Sequence, residues 1–517
     1  MGNQERRAKP RTFLSRLRTN TSGNVMFMTA MSVIPVAGMV GGAVDLSRAY
    51  LVKARMQQAC DAGALAGRRS MSGTTVTTTD KQEALRFFYF NFPQNTMGST
   101  TLVDDNDSAV NRVSTALSAD KQFEMSATTA VPTTLLRVVG MNEMRVDVAC
   151  KAEEYYVNTD LMMVLDTTGS MNCYLSDATS CHQSTEKTTN GTKKAKMLEL
   201  RDALKALYVS LRPAQLALEA KSLRMRIGMV QYSSTANVGK LVYAKNSAYI
   251  RNPYTYYKSD GTADTATNRA AAWFTGTWLG CIEERQTTTA LTKDSTSIPA
   301  AAYDLDIAKI PDSDATRWGP YDESSEKSKS TSNYYDSACP KPAVAMKSWA
   351  STTEFNTQVD TILQGDGNTY HDIGMNWGVR MIANTGIFGA DNPDKYNNVK
   401  VRRTIVFMTD GDMAPNRSGY SAYSVARYAG RVASTGTSDA NLELIHVNRF
   451  KLMCAKAKSD PLNIDVWVVA MLDHAMDSYL SGCASNADQA ILVSDAQDLA
   501  DAFKKISDKV GNLRIGQ

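Results

Sequence analysis

An aspartate, two threonines, a glycine and a serine follow the apolar run LMMVL, which begins at Leu161. Apolar runs this short are typical of buried strands, and ligands of α/β sheets bind where such strands end. Asp166, Thr168 and Ser170 are spaced so that a tight turn, eased by Gly169, presents three oxygens to one point. Taken alone, the stretch is compatible with a nucleophile, a phosphate loop, a metal site or a simple helix cap.

Two later loops supply further oxygen donors. The sequence GDGNTYHD places Thr369 at the opening of a predicted helix, and FMTDGD places Asp410 directly after a predicted strand. Together the three loops offer two carboxylates and three hydroxyls, a set that suits Mg²⁺ first and Mn²⁺ or Ca²⁺ next. We therefore predict a divalent-metal site formed by Asp166, Thr168, Ser170, Thr369 and Asp410.

Alternating strands and helices position these loops from residue 158 onward. The apolar strands predict an α/β fold with a doubly wound, mostly parallel sheet that is covered by helices on both faces. In the predicted helix DIGMNWGVRMI, Gly374 and Gly378 are four residues apart and permit close packing on the sheet. Residues 237–350 interrupt the alternation with a Tyr-, Ser-, Thr- and Lys-rich insert, which is either a contact surface or solvated filler.

The N-terminal part predicts a membrane anchor. Residues 1–23 hold six basic residues against one acid, and the next run, Val25 to Val44, carries no charge over 20 residues. Such a run is long enough to cross a bilayer as a helix, and the basic flank predicts a cytoplasmic N-terminus. The alternative is a signal peptide cleaved near Ala43, although the apolar run exceeds the usual signal core of roughly 7–15 residues.

Charge and length set the remaining organisation. Outside the basic tail the chain holds 51 basic and 52 acidic groups, so the charge balance gives no support to nucleic-acid binding by a folded domain. A chain of 517 residues exceeds one core. The predicted parts are a cytoplasmic tail at 1–23, a transmembrane helix at 24–45, an extended helix with a small α+β module at 46–153, and the α/β domain with its insert at 154–517.

Eight cysteines favour an exported chain. Their even number predicts pairing in an oxidising compartment. Spacing alone leaves the connectivity open, and it suggests three pairs: Cys173–Cys181, Cys281–Cys339 and Cys454–Cys483.

The three loops, MVLDTTGSM, GNTYHDIGMNWG and IVFMTDGD, resemble the von Willebrand factor type A domain and its metal-ion-dependent adhesion site. The resemblance implies that Asp166, Thr168 and Ser170 are the first-loop ligands, Thr369 the second-loop ligand and Asp410 the third. In that family the open position of the metal accepts an acidic group from a protein partner. The resemblance therefore implies adhesion or assembly without enzymatic turnover.

The N-terminal segment, SGNVMFMTAMSVIPVAGMVGGAVDLSRAYLVKARMQQACDAGALAG, resembles the membrane segment of TadG-like pilus-assembly proteins. This resemblance implies a bacterial single-pass inner-membrane protein with most of its chain in the periplasm. It also implies a role in assembling or anchoring Flp (tight-adherence) pili, with pilus components as partners.

Two alternatives use the same residues differently. A secreted or surface adhesin would share the metal chemistry and differ only in location. A phosphotransfer enzyme would use Asp166 as its nucleophile, since DTTGS also resembles the DKTGT of P-type ATPases. Against the enzyme, Thr167 replaces the lysine of that motif, and a periplasmic site would lack ATP.

Overall fold

A computed structural model of the chain forms two compact units, residues 1–155 with 514–517 and residues 156–513. The C-terminal strand Arg514–Gly516 belongs to the first unit, whereas the sequence prediction assigned it to the domain at 154–517. The structure describes residues 22–71, 76–105, 109–118, 122–155, 157–174, 177–181, 194–257, 261–266, 268–321, 339–362, 365–472, 474–511 and 514–516.

The first unit packs two helices against a five-stranded sheet. Its elements are α1 Ser22–Ser70, α2 Thr78–Asn91, β1 Val103–Asp104, β2 Arg112–Leu117, β3 Phe123–Pro132, β4 Glu143–Tyr155 and the C-terminal strand. The strand order is β1-β2-β3-β4 followed by the C-terminal strand. Helix α2 begins with a capping box in which Thr77 and Asp80 satisfy each other's backbone N–H groups. This cap fixes where the helix starts.

Helix α1 carries exposed apolar side chains in the first half of its length, at the positions whose side chains the structure describes. Asp45 lies at the end of this part and accepts backbone N–H bonds from Thr134, Leu135 and Leu136 at 2.9–3.0 Å. Among the described residues, no helix is long and apolar enough to cross a membrane, so the transmembrane helix at 24–45 stays a prediction. The exposed large apolar side chains of this part are Phe27, Met28, Met31, Val33, Val36, Met39, Val40 and Val44.

The second unit holds the remaining elements. Its helices are α3 Lys196–Glu219, α4 Gly239–Lys245, α5 Thr352–Asp360, α6 His371–Ile382, α7 Ala426–Ala429, α8 Asp439–Lys458, α9 Ser478–Ser481 and α10 Ala496–Gly511. Its strands are β5 Asn158–Asp166, β6 Cys173–Tyr174, β7 Asp177–Cys181, β8 Met225–Tyr232, β9 Tyr254–Tyr257, β10 Ala263–Ala266, β11 Ile282–Glu283, β12 Gly319–Pro320, β13 Val344–Lys347, β14 Lys395–Tyr396, β15 Val399–Thr409, β16 Tyr420–Ser421, β17 Ser424–Val425, β18 Asp465–Ala470 and β19 Ala490–Leu492.

The main sheet is mixed. Its order is β13-β8-β5-β15-β18-β19, with β14 paired to β15, and the five strands from β8 to β19 run parallel. Strand β13 is antiparallel to β8 because it closes the insert and returns along the sheet edge. The predicted doubly wound, mostly parallel sheet is therefore confirmed only in its coarser form, a mixed α/β fold.

Both faces of the central strand β5 are buried, which explains its unbroken apolar run. Leu161, Met163 and Leu165 pack on one face with residues of α3, α5 and α10. Met162 and Val164 pack on the other face with residues of α6 and α8. Because successive side chains of a strand point to opposite faces, one short run supplies two apolar layers.

The insert contributes to the core of this unit. Trp318 is buried, and its indole N–H donates to Glu284 at 3.1 Å. Glu284 is itself fully buried and pairs with Arg380 of α6 at 2.9 Å, while Trp377 of α6 donates to the same carboxylate. The prediction that the insert is solvated filler is therefore wrong for the part around Glu284 and Trp318. Residues 322–338 of the insert lie outside the described residues.

Disulfides join distant parts of each unit. Cys281–Cys339 and Cys454–Cys483 form as predicted. Cys173 is disulfide-bonded, and its backbone pairs with that of Cys181 between β6 and β7; the side chain of Cys181 lies outside the described residues. The bond Cys60–Cys150, which the spacing did not suggest, ties α1 to β4.

Close packing of α6 on the sheet predicts a defined effect of Gly374→Ala. A Cβ at position 374 would lie 2.4 Å from Cδ1 of the buried Tyr232, and one at Gly378 would lie 2.4 Å from Cγ2 of Val164. We expect Gly374→Ala to lower the free energy of unfolding by ~1–3 kcal/mol in urea titrations. Gly436→Ala is the control, because its Cβ meets nothing within 4 Å. Equal stability of the two variants would contradict this packing.

Candidate functional site

The site lies at the carboxyl edge of the main sheet, where β5 and β15 end side by side. The two strands are parallel, and Leu165 pairs with Met408 in register. Asp166 therefore ends one strand directly beside Thr409, which ends the other, and Asp410 follows. Residues from loops that are more than two hundred positions apart in sequence meet here because their strands are neighbours.

Four of the five predicted ligands form one continuous chain of hydrogen-bonded oxygens. Asp166 Oδ1 accepts from the Thr168 hydroxyl at 2.7 Å and from the Thr168 backbone N–H at 2.9 Å. The hydroxyls of Thr168 and Ser170 lie 3.0 Å apart. Ser170 Oγ then donates to Asp410 Oδ1 at 2.8 Å. The first and third loops thus converge on one cluster of oxygen atoms.

The second loop packs against the first through the backbone. The N–H of Asp366 donates to the Thr167 carbonyl at 3.0 Å, and a Cβ at Gly365 would lie only 1.9 Å from the Thr168 carbonyl oxygen. Thr369 follows on this loop, two residues before α6 begins at His371, and its carbonyl accepts from the Ala414 N–H. Among the described residues, no hydrogen bond joins the Thr369 hydroxyl to the other four predicted ligands.

Three side chains that were not predicted from the sequence lie behind the site. Thr409 Oγ1 and the Tyr232 hydroxyl donate to Asp166 Oδ2 at 2.8 and 3.2 Å. His371 Nε2 lies 2.9 Å from Thr409 Oγ1. Thr409 and His371 adjoin two of the recognised motifs, and Tyr232 ends the strand next to β5, so neighbouring strand ends were the available signal.

Lys196 is a fourth residue of the site that was not predicted from the sequence. Its ammonium lies 3.0 Å from Asp410 Oδ2 and 3.3 Å from the Asp410 carbonyl oxygen. The Lys196 side chain is 5% exposed and that of Asp410 is fully buried. Lys196 is the first residue of α3, where the helix dipole disfavours a positive charge, so its position was itself a signal.

Burial dominates the electrostatics of the site. Desolvation, followed by repulsion from Asp410, raises the pKa of Asp166 to about 7. Desolvation also raises the pKa of Asp410, against the opposing effect of the Lys196 ammonium. A cation nearby would favour the ionised form of both carboxylates and lower both pKa values.

The donor set also limits what the site could hold. Among the described residues, no group of three or more His, Cys, Asp or Glu side chains could hold a metal ion. The available protein donors are two carboxylates and neighbouring hydroxyls, all of them oxygen. Such a set fits a hard cation that keeps several waters, as Mg²⁺ does. Gly169 is exposed and Ser170 partly exposed, so the cluster is reachable from solvent on this side.

The raised pKa of Asp166 predicts a pH dependence in the presence of a chelator. Asp166 keeps its proton in the folded state up to about pH 7, whereas in the unfolded chain it ionises near about pH 4. The folded state therefore binds more protons across this window, and the free energy of unfolding falls as pH rises, by at most ~1.4 kcal/mol per pH unit.

Urea titrations of the wild type and Asp166→Asn over this pH range measure that effect. Subtracting the two curves cancels groups whose titration does not depend on the charge of Asp166, such as His371, whose pKa burial lowers to about 3. A difference between the curves that is flat or rises with pH would contradict the assignment.

One comparison with known proteins identifies the N-terminal segment. Residues 23–70 match the sequence profile of the family described as Flp pilus-assembly TadE/G-like. The match covers the predicted membrane segment and nearly all of α1, and it confirms the resemblance of this segment to TadG-like proteins. No curated protein matches the chain.

Solved structures similar to this chain include three pilus proteins. The pilus adhesin SpaC from Lactobacillus rhamnosus GG is 10% identical, with 78% of this chain and 34% of that chain covered and a TM-score of 0.34. The PilB minor pilin from Streptococcus sanguinis is 12% identical, with 78% of each chain covered and a TM-score of 0.35. The vWF domain of the type V pili tip protein Mfa5 from Porphyromonas gingivalis is 10% identical, with 70% of this chain and 98% of that domain covered and a TM-score of 0.32. This chain thus spans about a third of the length of SpaC.

Proposed function

We propose that this chain is a non-enzymatic protein of Flp (tight-adherence) pilus assembly that is anchored in the bacterial inner membrane. A divalent cation at the site, Mg²⁺ first, would be held by Asp166, Thr168, Ser170 and Asp410, with Thr369 on the adjoining loop. The cation would bind an acidic group of a protein partner, which we propose to be a pilus component. The single observation that carries the metal proposal is the unbroken chain of oxygens from Asp166 to Asp410.

The N-terminal segment supports the location. The family match at residues 23–70 is to pilus-assembly proteins. The charge-free run from Val25 to Val44 follows a basic tail, and its described large apolar side chains are exposed along α1. Exposed apolar side chains at this density are unfavourable in water, which favours burial in lipid.

Charge supports the nature of the partner. The two buried carboxylates and the Lys196 ammonium sum to one negative charge when all three are ionised. A divalent cation would turn the site to one positive charge, which an acidic side chain from a partner would neutralise. When bound, the cation would supply the attraction for that acidic group, and the protein would fix the position of the cation.

The geometry disfavours the phosphotransfer alternative. Asp166 is fully buried, and each of its carboxylate oxygens accepts two hydrogen bonds, from Thr168 on one side and from Thr409 and Tyr232 on the other. An attacking carboxylate needs a free oxygen in line with phosphorus. We therefore propose a binding role for Asp166.

The metal proposal predicts that Mg²⁺ stabilises the full chain in detergent. At about a hundred times its dissociation constant, Mg²⁺ should add ~2.7 kcal/mol to the free energy of unfolding. Asp166→Ala should abolish this gain and the heat of Mg²⁺ binding in titration calorimetry. Asp360→Ala is the control, because Asp360 is a surface carboxylate paired with Lys205. Normal Mg²⁺ binding and normal piliation of cells carrying Asp166→Ala would contradict the proposal.

The anchor proposal predicts the location of the protein in cell fractions. The full chain should fractionate with the inner membrane, and a chain lacking residues 1–45 behind a cleavable signal peptide should be soluble in the periplasm. N-terminal sequencing of the wild type distinguishes the alternatives. A mature chain that starts near residue 44 and is released from cells would show a secreted adhesin and refute the anchor.

A further inference from the structure

Lys196 places its ammonium inside the proposed metal site, 3.0 Å from Asp410 Oδ2. Its ammonium contacts both the side chain and the backbone carbonyl of Asp410, and the pair is almost completely shielded from solvent. Asp410 Oδ1 is occupied by Ser170, and Oδ2 by Lys196. The lysine therefore binds the one carboxylate oxygen that the hydroxyl chain leaves for a cation.

Burial of the Lys196 ammonium at this position raises the free energy of the folded state unless another group compensates the charge. An ammonium loses its hydration when it is buried, and the first turn of α3 adds the repulsion of the helix dipole. The neighbouring first-turn residue, Met197, is buried in an apolar cluster, so this turn of the helix also packs well without charge. The compensation that Lys196 receives comes from Asp410.

We infer that Lys196 is the resident cation of the site: it neutralises Asp410 before a divalent ion binds, and it weakens the affinity of the site for that ion. The inference rests on the proposed function, since it concerns regulation of the same site. A unit positive charge a few ångströms from a bound divalent ion repels it strongly in a buried setting. The site would then hold its metal firmly only when the acidic group of a partner balances the surplus positive charge.

Metal and partner should therefore bind cooperatively. A partner carboxylate relieves the repulsion between Lys196 and the ion, and by linkage the ion strengthens partner binding by the same factor. The lysine thus makes occupancy of the site depend on the partner.

The test compares Mg²⁺ affinity of the full chain in detergent by titration calorimetry. Lys196→Gln keeps a donor toward Asp410 and removes the charge, so it should bind Mg²⁺ at least about tenfold more tightly than the wild type. Lys196→Arg keeps the charge and should bind as the wild type does. Lys205→Gln is the matched control on the same helix, because it breaks only the surface pair with Asp360.

The outcomes separate this inference from the proposed function. If the wild type binds Mg²⁺ and Lys196→Gln binds equally or more weakly, the inference is overturned and the metal site stands. If Mg²⁺ binds to none of these proteins, the metal site and the inference both fail. If only Lys196→Gln binds measurably, the inference is supported in its strongest form. Lys196→Met, which keeps the packing of the stem without its charge, provides the same comparison if the Gln variant does not fold.

Discussion

The parallel pairing of β5 with β15 is the constraint on which the site depends. This register brings the ends of the two strands to one point of the sheet edge, and the two loops meet there through the contact of Ser170 with Asp410. A shift of one residue would send every side chain of the strand to the opposite face and pull the two carboxylates apart. The pairing is maintained because both faces of β5 are buried, by residues of α3, α5 and α10 on one side and of α6 and α8 on the other. The core therefore determines the geometry of the site before any ligand is present.

The two buried carboxylates lose their hydration, and the surrounding residues replace it with hydrogen bonds and an ammonium. Asp166 receives hydrogen bonds from four donor groups of Thr168, Thr409 and Tyr232, and Asp410 receives an ammonium and a hydroxyl. These contacts lower the free energy of the charged forms, yet desolvation still raises the pKa of both groups. The balance leaves both carboxylates with hydrogen-bond partners from the protein itself, and under the proposed function a cation would offset the remaining cost of their charge. A partly compensated charge of this kind suits reversible binding better than a permanently loaded structural metal.

Local sequence patterns predicted the parts that local physics controls. The apolar runs of β5, β15 and β18 and the glycines of α6 follow from burial and close approach, which leave a signature in a few consecutive residues. Strand β13 left none: it is half-exposed, lies at an edge and forms only because the insert returns to β8. The Cys60–Cys150 bond and the contacts of Asp45 left none either, because each joins residues far apart in sequence. Pairing of this kind depends on tertiary structure, which composition and periodicity do not encode.

The insert takes part in positioning the site, although it lies outside the motifs. Glu284 of the insert binds Arg380 and Trp377 of α6, and the Asp304 carbonyl accepts from Asn376 of the same helix. Breaking a buried ion pair of this type leaves an uncompensated charge, so this attachment resists separation. Helix α6 begins two residues after Thr369, at His371, which contacts Thr409 behind Asp166. Glu284 and Asp304 of the insert therefore hold the helix that follows the second loop, so the position of that loop depends on these contacts as well as on the main sheet.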